Sequence, residues 1–304
     1  MNAEKSKTTR RDFLKATACG TAVVALGGGG WPQTRGPLFS ERTGPAGDGP
    51  VRTGPETERT QTKFLLGVAS YTFRAFPLER AIEMTRRLGV QKICLKDMHL
   101  PLDAPAEETA ASAGQVRAAG LDLYACGVIY MKSPAEVERA FHYAQTAGAR
   151  TIVGVPDHDL LPLVNRLARE TRIGVAIHNH GPGDPLYPTP ESVLERVKNL
   201  GPLVGLCLDV GHTVRAGVDP ARAATEASPR LLDVHMKDVT EATAKGTTVE
   251  VGRGVVDVGA FLAALKKTGY AGVVAFEHEK DEADPLPGLA ESVGYVRGRL
   301  ALLA

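Results

Sequence analysis

The stretch from Thr151 to His178 opens with Thr151-Ile152-Val153-Gly154-Val155, passes through Leu160–Arg169, and ends Gly174-Val175-Ala176-Ile177-His178. A short β-branched run, an amphipathic helical segment and a second apolar run make one βαβ unit, the signature of a parallel sheet. Working outward, the same alternation recurs from Phe64 to the end of the chain. The other strand candidates are Leu65–Tyr71, Lys92–Leu95, Leu121–Val128, Val204–Leu208, Leu231–His235 and Gly272–Phe276. Helical segments fall between them at Leu78–Leu88, Glu107–Ala119, Ala135–Ala147, Pro190–Leu200, Pro220–Ala227, Val258–Thr268 and Leu289–Leu302. Ser133-Pro134 and Thr189-Pro190 each place an N-cap residue before a proline at the first helical position. Gly89, Gly120, Gly148 and Gly269 follow helices as terminating glycines do. Eight β/α pairs in about 240 residues match a closed (β/α)8 barrel better than a doubly wound sheet.

The whole chain has 304 residues, 36 basic and 35 acidic side chains, and 43% hydrophobic residues. That length suggests two domains at about 150 residues each, but α/β barrels of 200–250 residues break the rule. A net charge of +1 gives no basic excess for nucleic acid, so no nucleic-acid partner is expected. No apolar run reaches the roughly 18 residues of a transmembrane segment. The excess length lies at the start. Arg10-Arg11-Asp12-Phe13-Leu14-Lys15, followed by the weakly apolar Ala16–Leu26, resembles a twin-arginine export signal. Residues 1–30 are therefore expected to be that signal, residues 31–62 a disordered Gly/Pro/Thr/Arg-rich linker, and residues 63–304 a TIM-barrel catalytic domain. This implies a periplasmic or extracytoplasmic protein, loaded with any cofactor before export. Cys94, Cys126 and Cys207 each lie in an apolar run and read as reduced core residues.

In such barrels the chemistry sits at the C-terminal ends of the strands. Strand five ends Ala176-Ile177-His178-Asn179-His180, strand six Cys207-Leu208-Asp209-Val210-Gly211-His212, strand seven Val234-His235-Met236-Lys237-Asp238, and strand eight Phe276-Glu277-His278-Glu279. Each alone reads as a loop cap or a hydrogen-bonded core group. Four successive strand ends carrying His178, Asp209, His235 and Glu277 are hard to obtain from packing alone. Their mixed imidazole and carboxylate character suits Mn²⁺, Zn²⁺, Co²⁺ or Fe²⁺ better than Ca²⁺. Lys96 and His99 after strand two, and Arg253 between two glycines, are further candidates for binding substrate; Asp157-His158-Asp159 after strand four is as easily a surface loop. No phosphate-loop signature is present.

The stretches Ala176–Gly181, Leu208–Gly217, Asp233–Asp238 and Phe276–Asp281 resemble the xylose-isomerase-like barrels of the sugar-phosphate isomerase/epimerase group. The resemblance runs over nearly all of residues 64–304. It implies a single (β/α)8 TIM barrel, a homo-oligomer and one divalent metal ion, often Mn²⁺. Carried onto this chain, the ligands are His178, Asp209, His235 and Glu277, with His180, His212 and Lys237 facing a small sugar. The epimerases of that group carry Glu where this chain has His178. A two-glutamate proton relay is therefore in doubt, and the His-x-His pattern is closer to members near the inosose dehydratases and the enzymes that eliminate from 3-keto sugars.

The expected activity is that of a metal-dependent sugar isomerase or epimerase working through an enediolate. Glu277 or His180 would remove the proton beside the carbonyl, while Lys237 and His212 hold substrate oxygens. A lyase or dehydratase on 3-keto sugars or inosose-like substrates is the alternative. An exported, non-catalytic sugar-binding protein is the non-enzyme reading. A DNA-repair endonuclease on the same kind of barrel fits neither the export signal nor the near-zero charge.

Overall fold

The computed structural model of the protein describes residues 64–303. The expected export signal and linker lie outside the described residues. In chain order the barrel strands are β1 (Leu65–Ala69), β2 (Lys92–Leu95), β3 (Asp122–Met131), β4 (Thr151–Pro156), β5 (Gly174–His178), β6 (Val204–Asp209) and β7 (Leu231–Met236). A short antiparallel ribbon, β8 (Asp238–Val239) with β9 (Thr248–Val249), follows. The last barrel strand, β10 (Val273–Phe276), then pairs in parallel with both β7 and β1 and closes the barrel. The fold is a single (β/α)8 TIM barrel.

Closure buries strands on both faces, so they read as continuous apolar runs rather than alternating ones. β6 is buried at every position. The helices read differently because only one face is covered. In α1 (Leu78–Arg87) the buried residues are Ala81, Ile82, Met84 and Thr85, one stripe at helical spacing. α2 (Ala106–Ala118), α3 (Pro134–Ala147), α4 (Leu161–Thr171), α5 (Pro190–Val197), α7 (Pro220–Glu226), α8 (Val258–Thr268) and α9 (Leu286–Leu303) complete the outer layer. The caps read from sequence form: Ser133 Oγ accepts from Glu136 N–H, and Thr189 Oγ1 from Ser192 N–H. No helix among the described residues is long and apolar enough to cross a membrane.

Three local features depart from the sequence reading, and each shapes the barrel mouth. β1 stops at Ala69 because Ser70–Phe73 turn into a 3₁₀ helix. β3 runs on past Val128 to Met131. A short helix, α6 (Val210–Arg215), starts directly after Asp209, which caps it. Inside the barrel lies a layer of mostly small residues, among them Ala69, Cys94, Ala125, Ala176, Cys207 and Ala275, packed with Tyr124. Cys94, Cys126 and Cys207 are buried and unpaired, as their apolar settings predict.

Candidate metal centre

His178 and Asp209 are the last residues of β5 and β6, His235 is the penultimate residue of β7, and Glu277 directly follows β10. In-register pairing of Asp209 with His235 holds these strand ends level. The four side chains converge: one ligand atom from each lies within 4.8 Å of all the others. All four residues are buried, none more than 5% exposed. His178 Nε2 lies 3.5 Å from Asp209 Oδ2, and His235 Nδ1 lies 3.3 Å from Glu277 Oε2. Two donors bound about 2.1 Å from one ion at a tetrahedral angle stand about 3.4 Å apart, so these spacings suit a shared ion.

The hydrogen-bond inventory gives an independent test of fit. Buried polar groups are nearly always satisfied, yet both ring nitrogens of His178, both of His235 and Asp209 Oδ2 have no hydrogen-bond partner. The other Asp209 oxygen is taken, since Oδ1 accepts from His212 N–H at 2.7 Å as the cap of α6. Asn179 Oδ1 accepts from Asp209 N–H at 3.0 Å, and Asn179 Nδ2 donates to Thr213 Oγ1 at 3.2 Å, which ties the ends of β5 and β6 together. His178, Asp209 and His235 thus each keep a donor atom without a hydrogen bond beside the others, although Lys237 Nζ also lies 3.2 Å from Asp209 Oδ2. They fit a divalent ion.

Charge at the centre is organised by Lys237. It is 2% exposed, and its Nζ lies 3.2 Å from Asp209 Oδ2, 3.0 Å from Glu277 Oε2 and 2.9 Å from Glu279 Oε1. Gly211 makes this reach feasible, because a Cβ there would stand 2.8 Å from Lys237 Cγ. Burial pushes the Asp209 and Glu277 carboxyls up. For Asp209 that is outweighed by His212, which is charged only in the acid range where Asp209 titrates, and by Lys237; for Glu277 Lys237 and His235 outweigh it, so both fall well below the carboxylate range. Burial lowers His178, and it drives His212 down to about 3, so both imidazoles are neutral near pH 7. Ionised carboxylates and neutral imidazoles are the forms that bind metal. Burial also works against the charged form of His235, but Glu277 and Asp233 raise its pKa to about 9.

A cavity of about 220 Å³ opens above the cluster, lined by His178 and Glu277 together with Lys96, His180, His212 and Glu279. Tyr71, Val128 and Tyr130 complete its wall. Of the residues expected to face substrate, Lys96, His180 and His212 are at this cavity. Lys237 lies beneath it, in ionic contact with Glu277 and Glu279. His99 is placed elsewhere: its Nδ1 pairs with Ser70 Oγ and its Nε2 with the Phe76 carbonyl, each at 3.0 Å. Arg253 is also outside the cavity, in an exposed ion pair with Glu291. The ribbon turns it away, because Asp238 accepts from the backbone N–H groups of Gly252, Gly254 and Val256 on either side of it. His158 pairs with the Leu186 carbonyl at 3.2 Å.

Sequence reading missed Tyr71, Tyr130 and Asp184. The aromatics carry no metal-type signal, and Tyr130 comes to the mouth only because β3 is longer than its apolar run suggests. Asp184 lies 3.3 Å from His180 Nδ1 and also accepts from the N–H groups of Leu186 and Tyr187. An Asp four residues after a His in a Gly/Pro loop could have been found as an orienting carboxylate.

The family model described as Xylose isomerase-like TIM barrel matches residues 127–299. The chain belongs to this family. Among curated proteins, the rhizopine catabolism protein MocC of Rhizobium meliloti is similar, 33% identical over 144 residues, or 42% of this chain and 43% of its own. An inosose dehydratase of Clostridium tetani is 27% identical over 158 residues, 46% of this chain and 52% of its own. The chain spans about half the length of the curated relatives it matches. The crystal structure of an L-ribulose 3-epimerase superposes with a TM-score of 0.64 at 18% identity, covering 79% of this chain and 95% of that one. At that identity the xylose isomerase-like fold is what the two share.

Proposed function

We propose that this xylose isomerase-like barrel is a divalent-metal-dependent enzyme that moves a proton on the carbon beside a carbonyl of a sugar or keto-sugar, as isomerases and epimerases do. The observation that carries the reading is the buried His178–Asp209–His235–Glu277 cluster, with its unpartnered donor atoms, directly under a polar cavity. When bound, a divalent ion (Mn²⁺ first, with Zn²⁺, Co²⁺ or Fe²⁺ suited to the same donors) would polarise the carbonyl as a Lewis acid.

The remaining work falls to the side chains. His180 lines the cavity and has Nδ1 beside the Asp184 carboxylate, so its Nε2 is left to take a proton from the substrate. The carboxylate fixes that tautomer and the angle of the ring. Glu277 and Glu279 stand on the strand-eight side of the cavity, each in ionic contact with the Lys237 ammonium. Proton acceptors on two sides of one carbon are what re-protonation on the opposite face requires. Lys96, which donates to the Val128 carbonyl at 3.4 Å, and the neutral His212 are placed to hold substrate oxygens. Tyr71 and Tyr130 offer apolar ring faces on which a sugar can lie.

Elimination, the reaction of a dehydratase or lyase, is the second reading. It is favoured by His178, which replaces a carboxylate at the strand-five ligand position, and by the similarity to a protein named inosose dehydratase. We also propose that the twin-arginine segment exports the folded barrel. Replacing Arg10 and Arg11 by Lys should leave the protein in the cytoplasm; unchanged export would remove that proposal.

The test of the activity is hydrogen–deuterium exchange by the full chain with Mn²⁺ over a panel of ketoses, 3-keto sugars and inososes, read by NMR. Exchange with re-protonated product supports isomerisation, whereas loss of water or of a leaving group supports elimination. Absence of both across the panel would remove the enzyme reading in favour of sugar binding alone.

A further inference from the structure

Ala176, Cys207, Asp233 and Ala275 each stand two residues before one of the four cluster residues. Strand alternation puts them on the same inward face, one layer deeper. Three are small. The fourth is a carboxylate with no solvent exposure. The Tyr124 hydroxyl donates to both Asp233 oxygens at 3.2 Å, and the Cys207 thiol lies 3.9 Å from Oδ2. Oδ2 is also 3.9 Å from Nε2 of His235, the ring whose Nδ1 faces Glu277 at 3.3 Å. His235 therefore points one nitrogen into the metal cluster and the other at a buried carboxylate.

Burying a carboxylate against neutral donors is costly, and apolar residues of similar size pack such a layer at less cost. The small neighbours leave room for Tyr124 to reach across the barrel to this one acid. A positioned imidazole is a sufficient reason for the arrangement, since a metal-binding His commonly turns its other N–H to a carboxylate that fixes its tautomer and ring angle.

We infer that Asp233, held by Tyr124, is a positioning residue for the metal centre. Its carboxylate faces Nε2 of His235 at 3.9 Å, longer than a hydrogen bond, and favours the N–H on that side of the ring, which leaves the Nδ1 lone pair facing Glu277 and the cluster. The inference rests on the metal-centre reading above. Cys207, Asp233 and His235 also lie close enough together to form a second three-donor cluster. In that arrangement Nε2 would be a ligand rather than a donor, and the chain would bind two ions.

The test titrates Mn²⁺ and Zn²⁺, against a competing chelator, into the metal-free full chain and its Asp233→Asn and Tyr124→Phe variants. Melting of each metal-free protein is followed in parallel. One ion per chain is expected, with affinity about 10- to 100-fold weaker in Asp233→Asn. Its metal-free melting temperature is the control that separates lost affinity from a lost fold. Tyr124→Phe should lose affinity about threefold or more, and it decides alone if Asp233→Asn does not fold. Unchanged affinity in a folded variant, or lower metal-free stability without loss of affinity, overturns the positioning role. Two ions per chain also overturn it. A wild-type chain that binds no divalent ion removes the metal centre itself, a result distinct from a wild-type chain that binds and a variant that binds equally well.

Discussion

Lys237→Met is the most demanding perturbation of the charge arrangement described above. The substitution keeps the length and the apolar stem that packs beside Gly211, and removes only the ammonium. Asp209 and Glu277, with side chains 0% and 6% exposed, then lose the cation that lies 3.2 and 3.0 Å away. Removing one partner of a buried ion pair costs about 3–5 kcal/mol, because the other charge stays behind uncompensated. Glu279, with a side chain 30% exposed, adds less because solvent screens it. At roughly 2–4 °C per kcal/mol for a domain of this size, the metal-free variant should melt about 6–20 °C below the wild type. A divalent ion supplies the missing positive charge, so Mn²⁺ should raise the melting temperature of the variant more than that of the wild type. Differential scanning fluorimetry with chelator and with Mn²⁺ reads both effects. A metal-free Lys237→Met protein that melts within about 2 °C of the wild type, less than 1 kcal/mol, would refute the reasoning.

Asp184→Asn should lower kcat, by up to the roughly 10²–10⁴-fold that a positioned general base contributes, while metal content stays the same; a normal kcat would separate His180 from proton transfer. At the bottom of the barrel, burial raises the Asp122 carboxyl, but hydrogen bonds from Arg150 and Lys92 outweigh it and leave the pKa below 3.8. The folded state therefore binds that proton less tightly than the unfolded chain. The resulting stability is present above the unfolded pKa and is lost as pH falls through the folded one. Acid unfolding of Asp122→Asn, followed by circular dichroism below pH 5, should show a shallower loss than the wild type, and superimposable curves would contradict the assignment.

The barrel was legible because its strands are short, apolar and evenly spaced, with Ser133, Thr189 and the helix-ending glycines as punctuation. The convergence of His178, Asp209, His235 and Glu277 followed from the same register, since equivalent positions on neighbouring parallel strands lie side by side. What could not be read depended on direction rather than type. Asp209 was readable as a metal-type residue, but its type does not show that Oδ1 caps α6 and so leaves Oδ2 to face the cluster. His99 and Arg253 have the right chemistry in the wrong orientation: one is satisfied by Ser70 and the Phe76 carbonyl, the other is turned outward by the Asp238-anchored ribbon. Asp233 gave no signal because a lone Asp before a His inside an apolar strand reads as an ordinary interruption. Only the packing of Tyr124 and the small residues around it shows how deeply it is buried.

The central claim is that the four convergent side chains hold one divalent ion on which turnover depends. Metal content per chain, measured by mass spectrometry on the wild type and on Asp209→Ala alongside the deuterium-exchange assay, tests it most directly. The expected result is about one ion per wild-type chain, with both the ion and the exchange lost in Asp209→Ala. A wild-type protein stripped of metal that still exchanges at the full rate would contradict it.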